Sequence, residues 1–161
     1  MIWLWAARLL VVWVTILAME GVAALGHRFV MHGAGWVWHR SHHVSAGRGL
    51  EANDIFSLGF AILTIGLFVL AGGPRAWLYW VAVGVTIYGV LYAWLHEFLV
   101  HRRLGWRPTA RRGYLARLVV AHHLHHATRT RQGAVSFGFL YAPPLPALRS
   151  RLRAKAGSLA P

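Results

Sequence analysis

Long apolar runs dominate the first two-thirds of the chain. Residues 55–73 and 76–95 carry no charged side chain. At about 1.5 Å per helical residue, each is long enough to cross a hydrocarbon core about 30 Å thick. Residues 2–26 form another such run, broken only by Arg8 and Glu20. No basic segment precedes it, so it reads as a span rather than a cleaved leader. Arg8 lies near one end and can snorkel to the interface. Glu20 is an ionisable group inside a span and needs a partner there. The Gly72-Gly73-Pro74-Arg75 turn predicts an antiparallel hairpin between the second and third spans. From Arg111 onward the pattern predicts helices at or just beneath the interface, with 134–142 an embedded piece too short to span. The expected fold is all-α: one membrane-embedded domain over 1–161, about three spans and a histidine-rich cap.

Composition sharpens this picture. The chain is 57% apolar and 13% charged, against roughly 25% charged in a soluble domain. A disordered basic tail is excluded, since disorder requires low hydrophobicity. A soluble globule of this size could not bury so much apolar surface. The basic residues set a topology. Arg28, Arg40 and Arg48 lie between the first and second spans, and most others follow the third, whereas the 72–75 turn has Arg75 alone. The positive-inside rule places the first loop and C-terminal third in the cytoplasm and the hairpin turn outside. Trp3, Trp5, Trp77, Tyr79 and Trp80 suggest an aromatic belt at one end. Cysteine is absent, so thiolate metal sites are excluded and metal chemistry must use nitrogen and oxygen donors.

Eleven histidines are available, and they fall in four short clusters. His27 and His32 form HX4H, and His39, His42 and His43 form HXXHH. His96 and His101 repeat HX4H, and His122, His125 and His126 repeat HXXHH. The pair of motifs thus occurs twice, each time just after a span. Imidazole is the commonest nitrogen ligand for iron, zinc and copper. On a helix, HXXHH puts its rings within a stripe about 100° wide, so two can converge on one ion while the third reaches a neighbour. The i and i+5 positions of HX4H are about 140° apart on an α-helix, which predicts a loosened span end or a π-bulge. His123 falls about 60° outside the stripe and is left out. Ten imidazoles suffice for two metals. A bis-histidine haem would need ligands at depth within the spans, and a transporter would need them in mid-span on several helices. Neither pattern is present.

Ligating histidines pass their other N–H to an acceptor, and four carboxylates are candidates. Glu97 adjoins His96, and Glu51 and Asp54 follow the second cluster. Glu20 lies two turns before His27, on the same face. Capping the second span by Asn53 or Asp54 is an equal alternative for the Glu51–Asp54 region.

The two motif pairs resemble the membrane fatty-acid hydroxylase/sterol desaturase superfamily. Met31-His32-Gly33, Trp36-Val37-Trp38-His39, Glu51-Ala52-Asn53-Asp54 and the 135–144 segment resemble, within it, the bacterial β-carotene 3-hydroxylase family. The resemblance runs from about Glu20 to Pro144. It implies a di-iron centre held by all ten histidines, and O2-dependent hydroxylation of β-ionone rings at C3 and C3′. The reaction so implied takes place in the bacterial inner membrane and converts β-carotene to zeaxanthin through β-cryptoxanthin, with electrons from an external ferredoxin-type donor. His123 departs from the family's fourth motif, where Arg is expected, and leaves the ligand spacing intact.

The residues alone lead to oxidation of a lipid-soluble substrate, carotenoid or fatty acyl chain, lying between the spans with one end at the metals. A fatty-acyl or sterol hydroxylase or desaturase is the alternative, and a non-catalytic metal or haem membrane protein a third. Phe29, Trp36, Trp38, Phe98, Phe137, Phe139 and Tyr141 are candidate pocket-lining residues, and the Pro143-Pro144-Leu145-Pro146 break a candidate rim. Arg102, Arg103, Arg107, Arg111 and Arg112 suit anionic headgroups or docking of an acidic electron donor. No nucleic-acid motif accompanies them.

Overall fold

The computed structural model describes residues 1–44, 49–103 and 109–158; Arg48 and Arg107 lie outside them. Helix α1 (Ile2–Leu25) continues into a π-helical segment, Gly26–Ala34, and α2 (Trp36–Val44) follows. Helices α3 (Asp54–Ala71) and α4 (Trp77–Ala93) form the expected hairpin, and α4 runs on into a second π-helical segment, Trp94–Val100. Two further helices, α5 (Gly113–His125) and α6 (Leu145–Ser158), complete an all-helical fold; the described residues contain no strand.

Three continuous helical stretches, Ile2–Ala34, Asp54–Ala71 and Trp77–Val100, are long and apolar enough to cross a membrane. Their exposed faces carry Leu10, Trp13 and Leu17 on α1 and Ile62, Val69 and Leu70 on α3. So much exposed apolar surface fits an integral membrane protein. The α3–α4 turn closes at Gly72, whose φ of 65° is the left-handed conformation that glycine adopts without a Cβ clash. Near that turn the rings of Trp5 and Trp80 meet edge-on at 5.6 Å, and the Arg8 guanidinium lies over both. The start of α1 therefore sits beside the start of α4, and both helices carry their histidines to the opposite end.

Helices α1 and α3 each pack on α4 and barely meet one another. Val12, Ile16 and Tyr88 form the buried seam between α1 and α4. A second core, at the histidine end, joins Leu95 and Leu99 to Leu118, Val135, Phe139 and Leu148. Segment 134–142 is irregular, with Ala134, Val135, Phe139 and Ala142 buried. It is packed into this core instead of forming a separate embedded helix, as irregular backbone in an apolar setting requires. The prolines at 143–146 lead into α6 and do not edge the cavity described below.

Candidate metal centre

Both HX4H motifs meet the π-helical segments: His27 and His32 lie on the first, and His96 lies on the second with His101 as its C-terminal cap. The amides of His101 and Gly35 donate to the carbonyls of His96 (2.9 Å) and Val30 (2.8 Å). These i→i+5 bonds widen the turn and bring i+5 back towards i. The rings of His27 and His32 are 5.3 Å apart, and those of His96 and His101 are 4.5 Å apart. Both HXXHH motifs are helical, on α2 and at the end of α5.

The rings assemble into two groups. His27, His32, His39, His43 and His125 direct ligand nitrogens to within 4.8 Å of one another, and so do His42, His101, His122 and His126. His96 belongs to neither by that measure, but its buried ring lies 4.7 Å from His42, 4.5 Å from His101 and 4.9 Å from His122. His123 is exposed and lies in neither group.

Each ring of the five-histidine group donates its Nδ1–H to an oxygen. The acceptors are the carbonyls of Phe137 for His27, Arg131 for His32, Thr128 for His43 and Val135 for His125, all at 2.9–3.0 Å. His39 donates to Asn53 Oδ1 at 2.7 Å. With the proton fixed on Nδ1, every Nε2 presents a bare lone pair to the others. Nε2 atoms nevertheless approach to 3.1 Å between His27 and His39 and 3.2 Å between His32 and His125. Lone pairs so close repel unless a cation lies among them. For a metal–nitrogen bond of about 2.1 Å, ligands at right angles are about 3.0 Å apart. In the second group, Nε2 of His122 lies 3.1 Å from that of His101 and 2.9 Å from that of His126, while His42 Nε2 is buried without a hydrogen-bond partner. The donor set fits a pair of nitrogen-bound metal ions.

Electrostatics agree. Burial, reinforced by neighbouring imidazoles, pushes His39 and His42 down to about 3. Burial also pushes His43 down to about 4 and, with His42 beside it, His101 down to about 3. His122, His125 and His126 are lowered by the same causes. At neutral pH these rings are uncharged, the form that binds metal.

The four carboxylates divide. Glu97 Oε1 accepts from His96 Nδ1 at 2.6 Å, and Glu51 Oε2 accepts from His42 Nδ1 at 3.3 Å. Asp54 touches no histidine; it accepts two bonds from Arg103, which also donates to Glu97 at 2.8 Å. The expectation that Glu20 would approach the face of His27 is corrected. Its oxygens receive the amides of Phe139, Leu140 and Tyr141 and the hydroxyl of Tyr88, because three converging N–H groups satisfy a half-buried carboxylate better than a single imidazole. Neither Asn53 nor Asp54 caps α3 as a side-chain N-cap. Asn53 occupies the cap position without a cap hydrogen bond, and Asp54 accepts the Glu51 amide. Residue patterning missed Asn53 as a histidine partner and missed the four carbonyls altogether, since a carbonyl carries no side-chain signature.

An apolar cavity of about 710 Å³ opens between α1, α3 and α4. His27, Asn53, Glu97 and Phe139 line its histidine end, and Phe56, Phe60 and Phe68 line one wall. From Phe56 to Phe68 is about 18 Å along α3. Of the seven aromatics expected to line a pocket, Phe139 alone does so. Phe29 and Tyr141 face outward and Trp38 packs on Phe56. Trp36 and Phe137 pack against histidine rings instead. Sequence reasoning favoured aromatics near histidines in the chain, whereas α3 supplies the wall from across the bundle.

Three helices apolar enough to span a membrane, bearing at one end two histidine groups that could hold metal ions and joined to an apolar cavity, define a class of membrane-embedded protein with a candidate metal site. The chain is 48% identical to a β-carotene hydroxylase of Pantoea ananas, over 99% of this chain and 90% of that one. It is also 48% identical to a β-carotene hydroxylase of Pseudescherichia vulneris (92% and 84%) and 33% identical to a chloroplastic β-carotene 3-hydroxylase 2 of Arabidopsis thaliana (78% and 42%). The chain belongs to the β-carotene hydroxylase family. No protein-family profile matches it, and no solved structure matches it.

Proposed function

We propose that this chain hydroxylates the β-ionone rings of carotenoids at C3 and C3′, taking β-carotene through β-cryptoxanthin to zeaxanthin. The observation that carries the reading is continuity. His27, Asn53 and Glu97 belong at once to the histidine centre and to the wall of the apolar cavity. A long apolar rod threaded between α1 and α3 therefore ends at the centre.

All ten motif histidines are assigned to holding two irons: His27, His32, His39, His43 and His125 in one group, His42, His101, His122 and His126 in the other, with His96 beside the second. Bound iron supplies the redox chemistry that places one oxygen atom of O2 in a ring C–H bond and sends the other to water, with two electrons from a ferredoxin-type donor. The chain's own residues do the rest. Carbonyls of residues 128–137 and Asn53 hold protons on the Nδ1 atoms of their histidines and keep each Nε2 aimed inward. Glu97 and Glu51 hold the Nδ1 protons of His96 and His42. Phe139, stacked on His27 and edge-on to His96, closes the end of the slot against water. Polar lining is sparse, so the slot selects for an apolar rod and orients it by shape.

Arg28 and Arg40 lie on the histidine side, as do Arg102, Arg103, Arg111 and Arg112, supporting placement of the centre at the cytoplasmic face of a bacterial inner membrane. The same charges suit an acidic electron donor. Pigment chromatography of a β-carotene-accumulating host tests the function. Cells expressing the chain are expected to accumulate monohydroxylated and then dihydroxylated pigment. Unchanged β-carotene, with the protein present and iron-loaded, refutes the substrate assignment; modified sterols or acyl chains instead favour the superfamily alternative.

A further inference from the structure

Glu20 has an ionisable side chain within an apolar span, and three of its four hydrogen bonds come from one short backbone stretch. Oε1 accepts the amides of Phe139 (2.8 Å) and Tyr141 (3.0 Å); Oε2 accepts the amide of Leu140 (3.0 Å) and the hydroxyl of Tyr88 (2.9 Å). Three consecutive backbone N–H groups around one anion form an anion nest. Here the anion is part of the protein. The residues just before the gripped segment supply the carbonyls of Phe137 and Val135, which accept the Nδ1–H groups of His27 and His125. Both histidines belong to the five-histidine group. Gly138 independently marks the same contact. A Cβ built there collides with Glu20 Oε1, so any side chain at that position must displace the carboxylate from the three amides.

We infer that Glu20 is a positioning residue, a clamp from α1 onto residues 138–141 that aims His27 and His125 and so sets metal binding chiefly in the five-histidine group. This rests on reading the histidine groups as a metal pair. Among the described residues, no histidine of the group of four donates an Nδ1–H to residues 135–141; that stretch meets the group through the ring contact of Phe139 with His122. Loss of the clamp should therefore be selective, whereas general destabilisation would weaken both groups together.

The test uses the full chain in detergent, titrated with Fe2+ under anaerobic conditions, with bound iron counted by emission spectroscopy. Wild type is expected to hold two irons per chain. Glu20→Ala should hold about one, with affinity for the other reduced about 10- to 100-fold. Adding His42→Ala to it should remove the remaining iron, whereas adding His125→Ala should change little. Gly138→Ala should reproduce the loss, and Gly138→Ala combined with Glu20→Ala should be no worse than Glu20→Ala alone. Tyr88→Phe removes one donor of four and leaves the three amides in place, so it provides a milder, folded variant with a smaller selective loss. Two irons at wild-type affinity in Glu20→Ala, or equal weakening of both groups in Tyr88→Phe, would overturn the clamp. A wild-type chain unable to bind a pair would bring down the metal reading first, a result visible before any substitution is made.

Discussion

The ring of His42 lies 4.2 Å from that of His101, although its motif neighbours His39 and His43 belong to the other histidine group. His125 makes the reverse crossing, its Nε2 3.2 Å from that of His32 while His122 and His126 remain with the group of four. Each HXXHH helix thus sends its i+3 ring across and keeps i and i+4 at home. Helical geometry permits this because i+3 and i+4 lie on either side of i. Neither group can be completed by one half of the chain.

The crossing predicts selective metal loss. His42→Ala should empty the group of four and leave about one iron per chain; His125→Ala should do so for the other group. Each is expected to reduce turnover more than about 100-fold, exceeding the usual effect of losing a ligand's partner. Iron counting with Mössbauer spectroscopy would resolve which environment remains. Identical spectra from the two variants would be incompatible with the exchange.

Asn53 gives a second prediction. Its side chain receives the His39 proton at 2.7 Å and makes no cap bond to α3. Asn53→Ala should therefore weaken iron binding about 10- to 100-fold while leaving helix content by circular dichroism unchanged. A drop in helicity with intact metal affinity would return Asn53 to a capping role.

Much of this arrangement is legible in the residue pattern. Hydropathy specifies the three spans, and Gly72-Gly73-Pro74 specifies the turn. The awkward 140° between i and i+5 anticipates the π-helical segments at His27–His32 and His96–His101. Other features leave no such mark. The carbonyls of Thr128, Arg131, Val135 and Phe137 act through backbone, which every residue possesses. Glu20 gave a sign that it needed a partner, but which partner depended on where the 138–141 segment returns, over a hundred residues later. The repeat suggested five histidines per half and could not show that His42 and His125 change places.

Acidification supplies a third prediction. In the metal-free chain, His39, His42 and His101 are held down to about 3 and His43 to about 4 by burial, against about 6.5 when unfolded. Above that value neither state binds the protons. As pH falls from about 6.5 towards 4, the unfolded chain takes up protons that the folded chain refuses, so stability falls with pH. Each ring contributes at most about 1.4 kcal/mol per pH unit. Thermal unfolding in detergent should move to lower temperature from pH 7 to pH 5, and added Fe2+ should raise the transition at both, because the folded rings are uncharged throughout that range. A flat profile for the metal-free protein would mean that these rings are solvated.

The cavity makes a fourth prediction, separating substrate binding from metal binding. Ala61 lines the slot on α3, between Phe60 and Thr64, away from the histidine groups. Replacing its methyl with a benzyl group puts an aromatic ring into a channel that an apolar rod must thread. The variant need not disturb the centre, because none of the Nδ1 acceptors lies on α3 beyond its first turn. Ala61→Phe should keep two irons per chain and lose at least about tenfold in hydroxylation, chiefly through KM, since removing uniform binding raises KM and leaves kcat. Iron content and pigment analysis on the same preparation check both halves. Full turnover with Phe at position 61 would show that the substrate reaches the histidines by another path.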